Sequence, residues 1–394
     1  MLFFIAILPI LSIICKILLN LHIFVRKRRA LVLILVLIYD GRKAMWHRGV
    51  NMFFRRVSLF LIMCCIVGCK STPKSEYVTV DGQMLGTFLH IVAQTDVESS
   101  EIYSKMMSLD SVAKRSMSIF YEGSLLSRIN RGETDSIDSH IAYNIELARR
   151  VNIESGGVYD VTIKPLTSAY GFARENREHK VNVDSLLEFV GMEKIRVEDG
   201  RLIKADERVQ LDFNSIAKGY TVDLAAQELE KIGVENYIVD IGGEVRCKGV
   251  NKKGQAWRVG VETPFEGNQS NGDYIQQVIS LSNRSMATSG NYRRYYINDE
   301  GKKVAHTIDP RTGQSVISEL LSATVIAPTC AEADAYGTMF MALGKDKAIE
   351  LARRMAEQGV FVYFITAGEE EEYEIYYSSQ LETALSHSVG FNAL

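Results

Sequence analysis

From residue 76 onward the chain switches repeatedly between two periods. Ile141, Ile145, Ala148 and Val151 recur at helical spacing and predict a helix over residues 139–154. Further helices are predicted over 101–117, 215–232, 331–343 and 346–358. Residues 77–93 read as two strands about a turn at Gly82. Residues 194–204 alternate on both sides of Asp199-Gly200, a pair suited to the positive φ angles of a tight turn, and predict a hairpin. Strands are expected over 209–213, 237–245, 257–262, 275–282, 321–327 and 360–365. Helices and strands interleave too closely for an all-β sandwich, and hairpins are too frequent for a purely parallel sheet. The expected class is α+β, with mixed, largely antiparallel sheets and packed helices.

The front of the chain has a different grammar. Arg55-Arg56 precede an uncharged apolar run, residues 57–69, that ends in Ile66-Val67-Gly68-Cys69. This is the layout of a secretory signal, and the run is shorter than the roughly 20 residues of a spanning helix. Its end resembles a bacterial lipobox, which implies export and membrane attachment through a lipidated Cys69. Upstream, residues 1–51 hold two apolar stretches around Arg26–Lys27–Arg28–Arg29. They read either as an additional membrane segment or as an extension ahead of a start at Met45 or Met52. The expected organisation is therefore 1–51 as extension or extra segment, 52–69 as lipoprotein signal, 70–76 as tether and 77–394 as body.

Charge sharpens this division. Of 45 Lys/Arg and 48 Asp/Glu, residues 1–56 carry ten basic residues and one acid, which leaves 35 basic and 47 acidic residues from Lys70 onward. A body this acidic is unsuited to nucleic acid, whose binding depends on neutralising phosphates. Only Cys247 and Cys330 of the six cysteines fall in the body, so one disulfide is possible and a disulfide framework is not.

Four polar clusters carry candidate chemistry. In Asp212-Phe213-Asn214-Ser215-Ile216-Ala217-Lys218-Gly219 a strand runs into a helix, with Ser215 as a potential cap and Lys218 in the first turn, an arrangement suited to an anion. The alternative is a capped helix with a solvated lysine. Asp334 and Thr338 are four apart and share one helical face, as a hard cation such as Mg2+ requires; a surface acid beside a self-bonded threonine is the competing reading. His306 ends a strand close to Asp309 and Arg311, where it either exchanges protons near neutral pH or serves structure alone. Gly156-Gly157 before Val158-Tyr159-Asp160 allows close backbone approach or stops a helix.

In their order along the chain these clusters resemble the FAD:protein FMN transferase (ApbE) family of exported flavin-handling lipoproteins. The resemblance runs from about Gly82 to the C-terminus. It rests on LGT (85–87), SMSIFYEGSLLSRIN (116–130), GGVYDVTIKPL (156–166), LDFNSIAKGYTVD (211–223) and VDIGGEVRCKG (239–249). WRVGVETP (257–264), TSGNYRRYY (288–296), HTIDPRTG (306–313) and ADAYGT (333–338) complete it. The family implies FAD contacts from Leu85, Phe120, Val158, Tyr159, Asp160, Asp212, Lys218 and Ile308. It implies Mg2+ held by Asp334, Thr338 and the main-chain oxygen of Ser215. Leu85 departs from the family's usual methionine, and Phe120 stands where other members carry Trp or Tyr. The implied reaction transfers FMN from FAD to a threonine or serine hydroxyl of a partner flavoprotein and releases AMP, with His306 as candidate base and Asp309 as competitor. A Mg-dependent FAD pyrophosphatase and a non-catalytic flavin-binding lipoprotein are the alternatives.

Overall fold

The computed structural model describes residues 76–173, 182–265, 268, 272, 274–292, 294–369 and 372–386. The extension, signal and lipidated Cys69 expected from the sequence lie outside the described residues, as does the tether except for Glu76. Among the described residues no helix is long and apolar enough to cross a membrane.

The body opens with hairpin β1 (Glu76–Met84) and β2 (Thr87–Thr95). The turn falls at Leu85-Gly86, with φ of 53° and 78°, and not at Gly82. Both central residues of this two-residue turn take positive φ, the geometry that suits a twisted hairpin. Gly82 lies inside β1, where the Tyr103 ring covers it so closely that a Cβ would meet Tyr103 Cε2 at 2.5 Å. Tyr103 belongs to α1 (Ser99–Met117), which buries Ile102, Met106, Ala113 and Met117 at helical spacing. The short α2 (Leu125–Asn130) follows, then α3 (Ser139–Ser155), capped by Asp138 and ended by Gly156 at φ 65°. Gly156 is thus the helix stop. After α4 (Lys164–Ala169) and α5 (Val183–Leu187) comes the expected hairpin, β3 (Ile195–Glu198) and β4 (Arg201–Lys204), turning on Asp199-Gly200.

Residues 209–213 do not form the predicted strand; Gln210 alone bridges, to Ile163. Their apolar positions are buried, but their backbone partners are not a ladder. Asn130 donates Nδ2–H to the Leu211 carbonyl and accepts the Leu211 N–H on Oδ1, both at 2.8 Å, and the Asp212 N–H goes to Val161. One side-chain amide thereby does what a neighbouring strand would do. Next come α6 (Ala217–Lys231), β5 (Tyr237–Ile241) and β6 (Glu244–Lys248), the last two joined through Gly242-Gly243. Strands β7 (Trp257–Glu262), β8 (Ile275–Leu281) and β9 (Arg284–Gly290) follow. Two small hairpins, β10 (Tyr295–Ile297) with β11 (Lys303–Ala305) and β12 (Ile308–Asp309) with β13 (Gln314–Ser315), lead to β14 (Leu320–Ala327). The chain closes with α7 (Cys330–Leu343), α8 (Lys345–Ala356), β15 (Phe361–Ala367), β16 (Tyr373–Tyr377) and β17 (Leu385–Ser386).

Eight strands form one antiparallel sheet in the order β1-β2-β5-β6-β9-β14-β15-β16. The α+β class with largely antiparallel sheets and packed helices is the one the sequence pattern predicts. Helices α1, α6 and α7 pack against the sheet and each other, while Val245, Met286, Ile326 and Ile365 on the sheet share a core with Trp257, Val261 and Ile279 of the small β17-β8-β7 sheet. Cys247 and Cys330 are buried free thiols, so the possible disulfide is not formed.

Candidate active site

Ser215 does not cap α6. Ile216 occupies the N-cap position without a side-chain bond, and the Ser215 hydroxyl instead donates to the phenol oxygen of buried Tyr159 at 2.9 Å. The Gly219 N–H, four residues after Ser215, would ordinarily bond the Ser215 carbonyl as the helix begins. It goes to Asp334 Oδ2 at 2.9 Å. No backbone N–H among the described residues bonds the Ser215 carbonyl. Asp334 therefore stands against the first turn of α6 with Oδ1 available, and Thr338 follows one turn later on the same face of α7.

This close approach depends on Gly219. A Cβ there would meet the Cys330 carbonyl oxygen at 2.3 Å and Asp334 Cβ at 2.7 Å. Helix α7 is held at that distance from its N-terminal end. Asp223 of α6 accepts the Cys330 and Ala331 N–H groups, both at 2.9 Å, and pairs with Arg246 of β6 at 2.5 Å. Thr329 and Glu332 add a reciprocal capping box.

Lys218 reaches the far side of the same cluster, with Nζ 2.5 Å from Glu244 Oε2 and 3.5 Å from the Gly242 carbonyl. Burial opposes the Lys218 charge, but Glu244 and Asp334 outweigh it and raise its pKa. Burial raises the Glu244 carboxyl against the pull of Lys218, and it raises Asp334 as well. Asp240, whose carboxylate accepts the Gly243 N–H at 2.8 Å, is raised by burial too. Three carboxyl groups thus share one ammonium, a charge deficit that a divalent cation would correct. Among the described residues no three His, Cys, Asp or Glu side chains gather as a metal site. One carboxylate, one hydroxyl, one free carbonyl and water suit Mg2+, which takes few protein ligands, and do not suit zinc.

A second cluster surrounds His306. Its Nδ1 lies 3.2 Å from the Arg294 carbonyl, and Phe172 meets its ring edge-on at 6.2 Å. Tyr296 packs on the same Phe172. Burial and the Arg294 charge push the imidazole down to about 4. Asp309 and Arg311, placed beside His306 by sequence, are bound to each other: Arg311 donates Nε–H and Nη2–H to the Asp309 carboxylate at 3.0 and 2.7 Å. Asp309 is thereby occupied as a competitor for the role of base.

Asp212 links the two clusters. Its carboxylate accepts from the Asn214 N–H and the Thr167 hydroxyl, at 2.9 and 3.0 Å. Burial raises its pKa while Lys164 and Arg294, the latter also facing His306, pull it down. Tyr159 lies in the field of both Asp334 and Asp212, and burial raises its phenol well above the ordinary range. Asp160 is committed to protein donors, Thr162 N–H and Oγ1–H at 2.7 and 2.6 Å and Met192 N–H at 2.9 Å. Val158 is buried, and the Ile308 side chain packs into a small core with Leu166 and Val190, so a ligand would meet Ile308 through its main chain. Leu85 donates its N–H to Asp110 Oδ1 at 2.7 Å. Phe120 is 51% exposed, next to a cleft of about 360 Å³ lined by Ile119, Ser127, Asn130, Lys164 and Gln210.

Glu244, Asp223, Arg246 and Arg294 have no role in the sequence reading. Glu244 directly follows Gly242-Gly243 and is the only acid in a strand that otherwise carries Arg246 and Lys248, which is the one signal that marks it.

The fold and these clusters define an acidic, oxygen-rich site beside a lysine on an antiparallel α+β scaffold. The sequence matches the ApbE family over residues 85–364. The FAD:protein FMN transferase of Haemophilus influenzae is 33% identical over 299 residues, covering 71% of this chain and 85% of that protein. The FAD:protein FMN transferase of Escherichia coli K12 is 30% identical over 351 residues, covering 84% and 97%. The solved flavin transferase ApbE from Vibrio cholerae superposes with a TM-score of 0.68 at 30% identity, over 79% of this chain and all of that one. This chain belongs to the ApbE family.

Proposed function

We propose that this chain, an FAD:protein FMN transferase, moves FMN from FAD to a threonine or serine hydroxyl of a partner flavoprotein with the help of Mg2+. The observation that carries the cation is the diversion of the Gly219 N–H to Asp334, which leaves the Ser215 carbonyl without a backbone partner; Thr338 lies one turn after Asp334 on the same helix. Bound there, Mg2+ would act as a Lewis acid on phosphate oxygens. The acceptor oxygen attacks the FMN phosphorus, the phosphoanhydride P–O bond breaks, and AMP leaves. Lys218 neutralises charge developing on the departing phosphate, and positioning supplies most of the remaining rate. His306 takes the hydroxyl proton. Its depressed pKa keeps the imidazole neutral at physiological pH, and the incoming pyrophosphate anion raises its basicity when it is needed. In this reading Leu85, Phe120, Val158, Tyr159, Asp160, Asp212 and the Ile308 main chain line the FAD path, with the flavin or adenine ring entering the cleft beside Phe120. In the same reading the protein is exported and anchored to a membrane through lipidated Cys69, in the periplasm or at the cell surface.

The test is intact mass of an acceptor segment bearing a threonine after incubation with the chain, FAD and Mg2+. A mass gain equal to FMN that disappears with EDTA and with Asp334→Ala is expected. FMN and AMP released without labelling of any acceptor would identify a pyrophosphatase. FAD bound without turnover would identify a flavin-binding lipoprotein.

A further inference from the structure

Glu244 presents an unusual atom. Its Oε2 is buried and makes no hydrogen bond, yet it stands 2.5 Å from Lys218 Nζ, a charge contact without hydrogen-bond geometry. A buried polar atom left without a hydrogen bond calls for a reason.

The reason lies in what else Lys218 could reach. Glu244 and Arg246 are two apart on β6 and share one strand face. They meet α6 in two ion pairs of opposite sense, Glu244 with Lys218 and Arg246 with Asp223. A slip of β6 along α6 would set like charges against each other, so the pairing fixes where the ammonium sits. Gly219, the neighbour of Lys218, is bonded to Asp334, which brings a second carboxylate within the field of the same ammonium. A lysine is a compact charge on a flexible four-carbon stem. Released from Glu244, it would turn to Asp334 and occupy the place a cation requires.

We infer that Glu244 is a positioning residue that holds the Lys218 ammonium away from Asp334 and so keeps the Asp334, Thr338 and Ser215 oxygens open to a divalent cation. This rests on the cation reading proposed above. It assigns Glu244 a role opposite to that of a ligand, because it acts by removing a competitor.

The experiment is calorimetric titration of the full-length chain with MgCl2 in the absence of FAD, supported by Mn2+ binding read by electron paramagnetic resonance. Glu244→Gln keeps the shape and deletes the charge; its Mg2+ dissociation constant is expected to rise by about 10–100-fold, the usual cost of losing an outer-sphere partner. Glu244→Asp, which keeps the charge, is expected to stay close to the parent. Glu244→Gln combined with Lys218→Met removes the competitor, and affinity is expected to return to that of Lys218→Met alone. A merely structural role does not give this rescue. Unchanged affinity in Glu244→Gln overturns the inference, and so does a double variant as weak as Glu244→Gln. Asp334→Ala separates the two levels: if it binds Mg2+ as the parent does, the cation reading itself fails and this inference falls with it.

Discussion

Replacing Gly219 by alanine adds one methyl group where α6 touches the first turn of α7. The new Cβ would stand 2.3 Å from the Cys330 carbonyl oxygen, 2.7 Å from the Cys330 carbonyl carbon and 2.7 Å from Asp334 Cβ. Relaxing the closest of these to an ordinary contact of about 3.5 Å moves the helices apart by roughly 1 Å. The obstructing atoms are backbone, and Asp223 ties that backbone to α6, so no side-chain rotation relieves the clash. Overpacking of this kind costs about 1–3 kcal/mol, and the better helix propensity of alanine returns about 1 kcal/mol. The balance is a destabilisation of up to about 2 kcal/mol, a melting temperature lower by a few degrees. The functional effect is larger, because the displaced atoms belong to Asp334; a misplacement near 1 Å costs about 10²-fold in rate. Thermal unfolding and the initial rate of acceptor mass gain, measured side by side, check both. A melting temperature that rises, as at an ordinary helical glycine, together with an unchanged transfer rate would refute the argument.

Gly82→Ala poses the same geometric problem with a different answer: its Cβ would meet Tyr103 Cε2 at 2.5 Å, but Tyr103 is 37% exposed and can swing outward. The expected cost is under about 1 kcal/mol, read as a melting shift of less than a few degrees. Asp223→Ala leaves Arg246 without its partner and two helix N–H groups uncapped, and should destabilise by about 3–5 kcal/mol in urea unfolding, with Arg246→Met restoring part of the loss; a loss under about 1 kcal/mol would contradict the network. His306 is held at about 4 against an ordinary 6.5, so the unfolded chain takes up this proton first as pH falls. Its contribution to stability is complete above pH 6.5 and is lost on acidification toward pH 4. His306→Gln should therefore flatten the decline in melting temperature across that window, and an equally steep decline would assign the titration to another group.

Elements with a strong period were legible in the sequence. Strand β7 falls on the predicted residues, and the helices that became α1, α3, α7 and α8 begin and end within two residues of expectation. Strand β9 has no such signature, although it lies between β6 and β14 in the large sheet. Apart from Arg284 and Met286 its residues, Ser285, Ala287, Thr288, Ser289 and Gly290, are small, and α7 lies close above Ser289: a Cβ on Gly337 would meet Ser289 Oγ at 2.8 Å. Hydrophobic alternation cannot mark a strand chosen for thinness. Residues 209–213 fail for the opposite reason, since they have the apolar pattern of a strand while Asn130 takes the partner's place. At the site, residue types and order pointed to Asp334, Lys218 and Ser215. The pairing of Lys218 with Glu244 and the loss of the Ser215 cap to Tyr159 depend on contacts between distant segments that spacing does not encode.

Two of the three interruptions in the strand order of the large sheet, those on either side of β9, have an evolutionary consequence. Strands β6 and β9 are hydrogen-bonded neighbours, as are β9 and β14, yet β7 and β8 intervene in the first case and residues 291–319 in the second. Each excursion departs from and returns to adjacent points, so its length and content can change while the sheet keeps its register. His306, with the Arg294 and Tyr296 that crowd it, lies on the second excursion, whereas Asp334, Lys218 and Glu244 belong to α7, α6 and β6. The half of the site that would meet the acceptor is therefore the half that lineages can lengthen, shorten or exchange. The half that would hold the phosphate is tied to the frame by the pairings of α6 with α7 and β6 through Asp223 and Lys218.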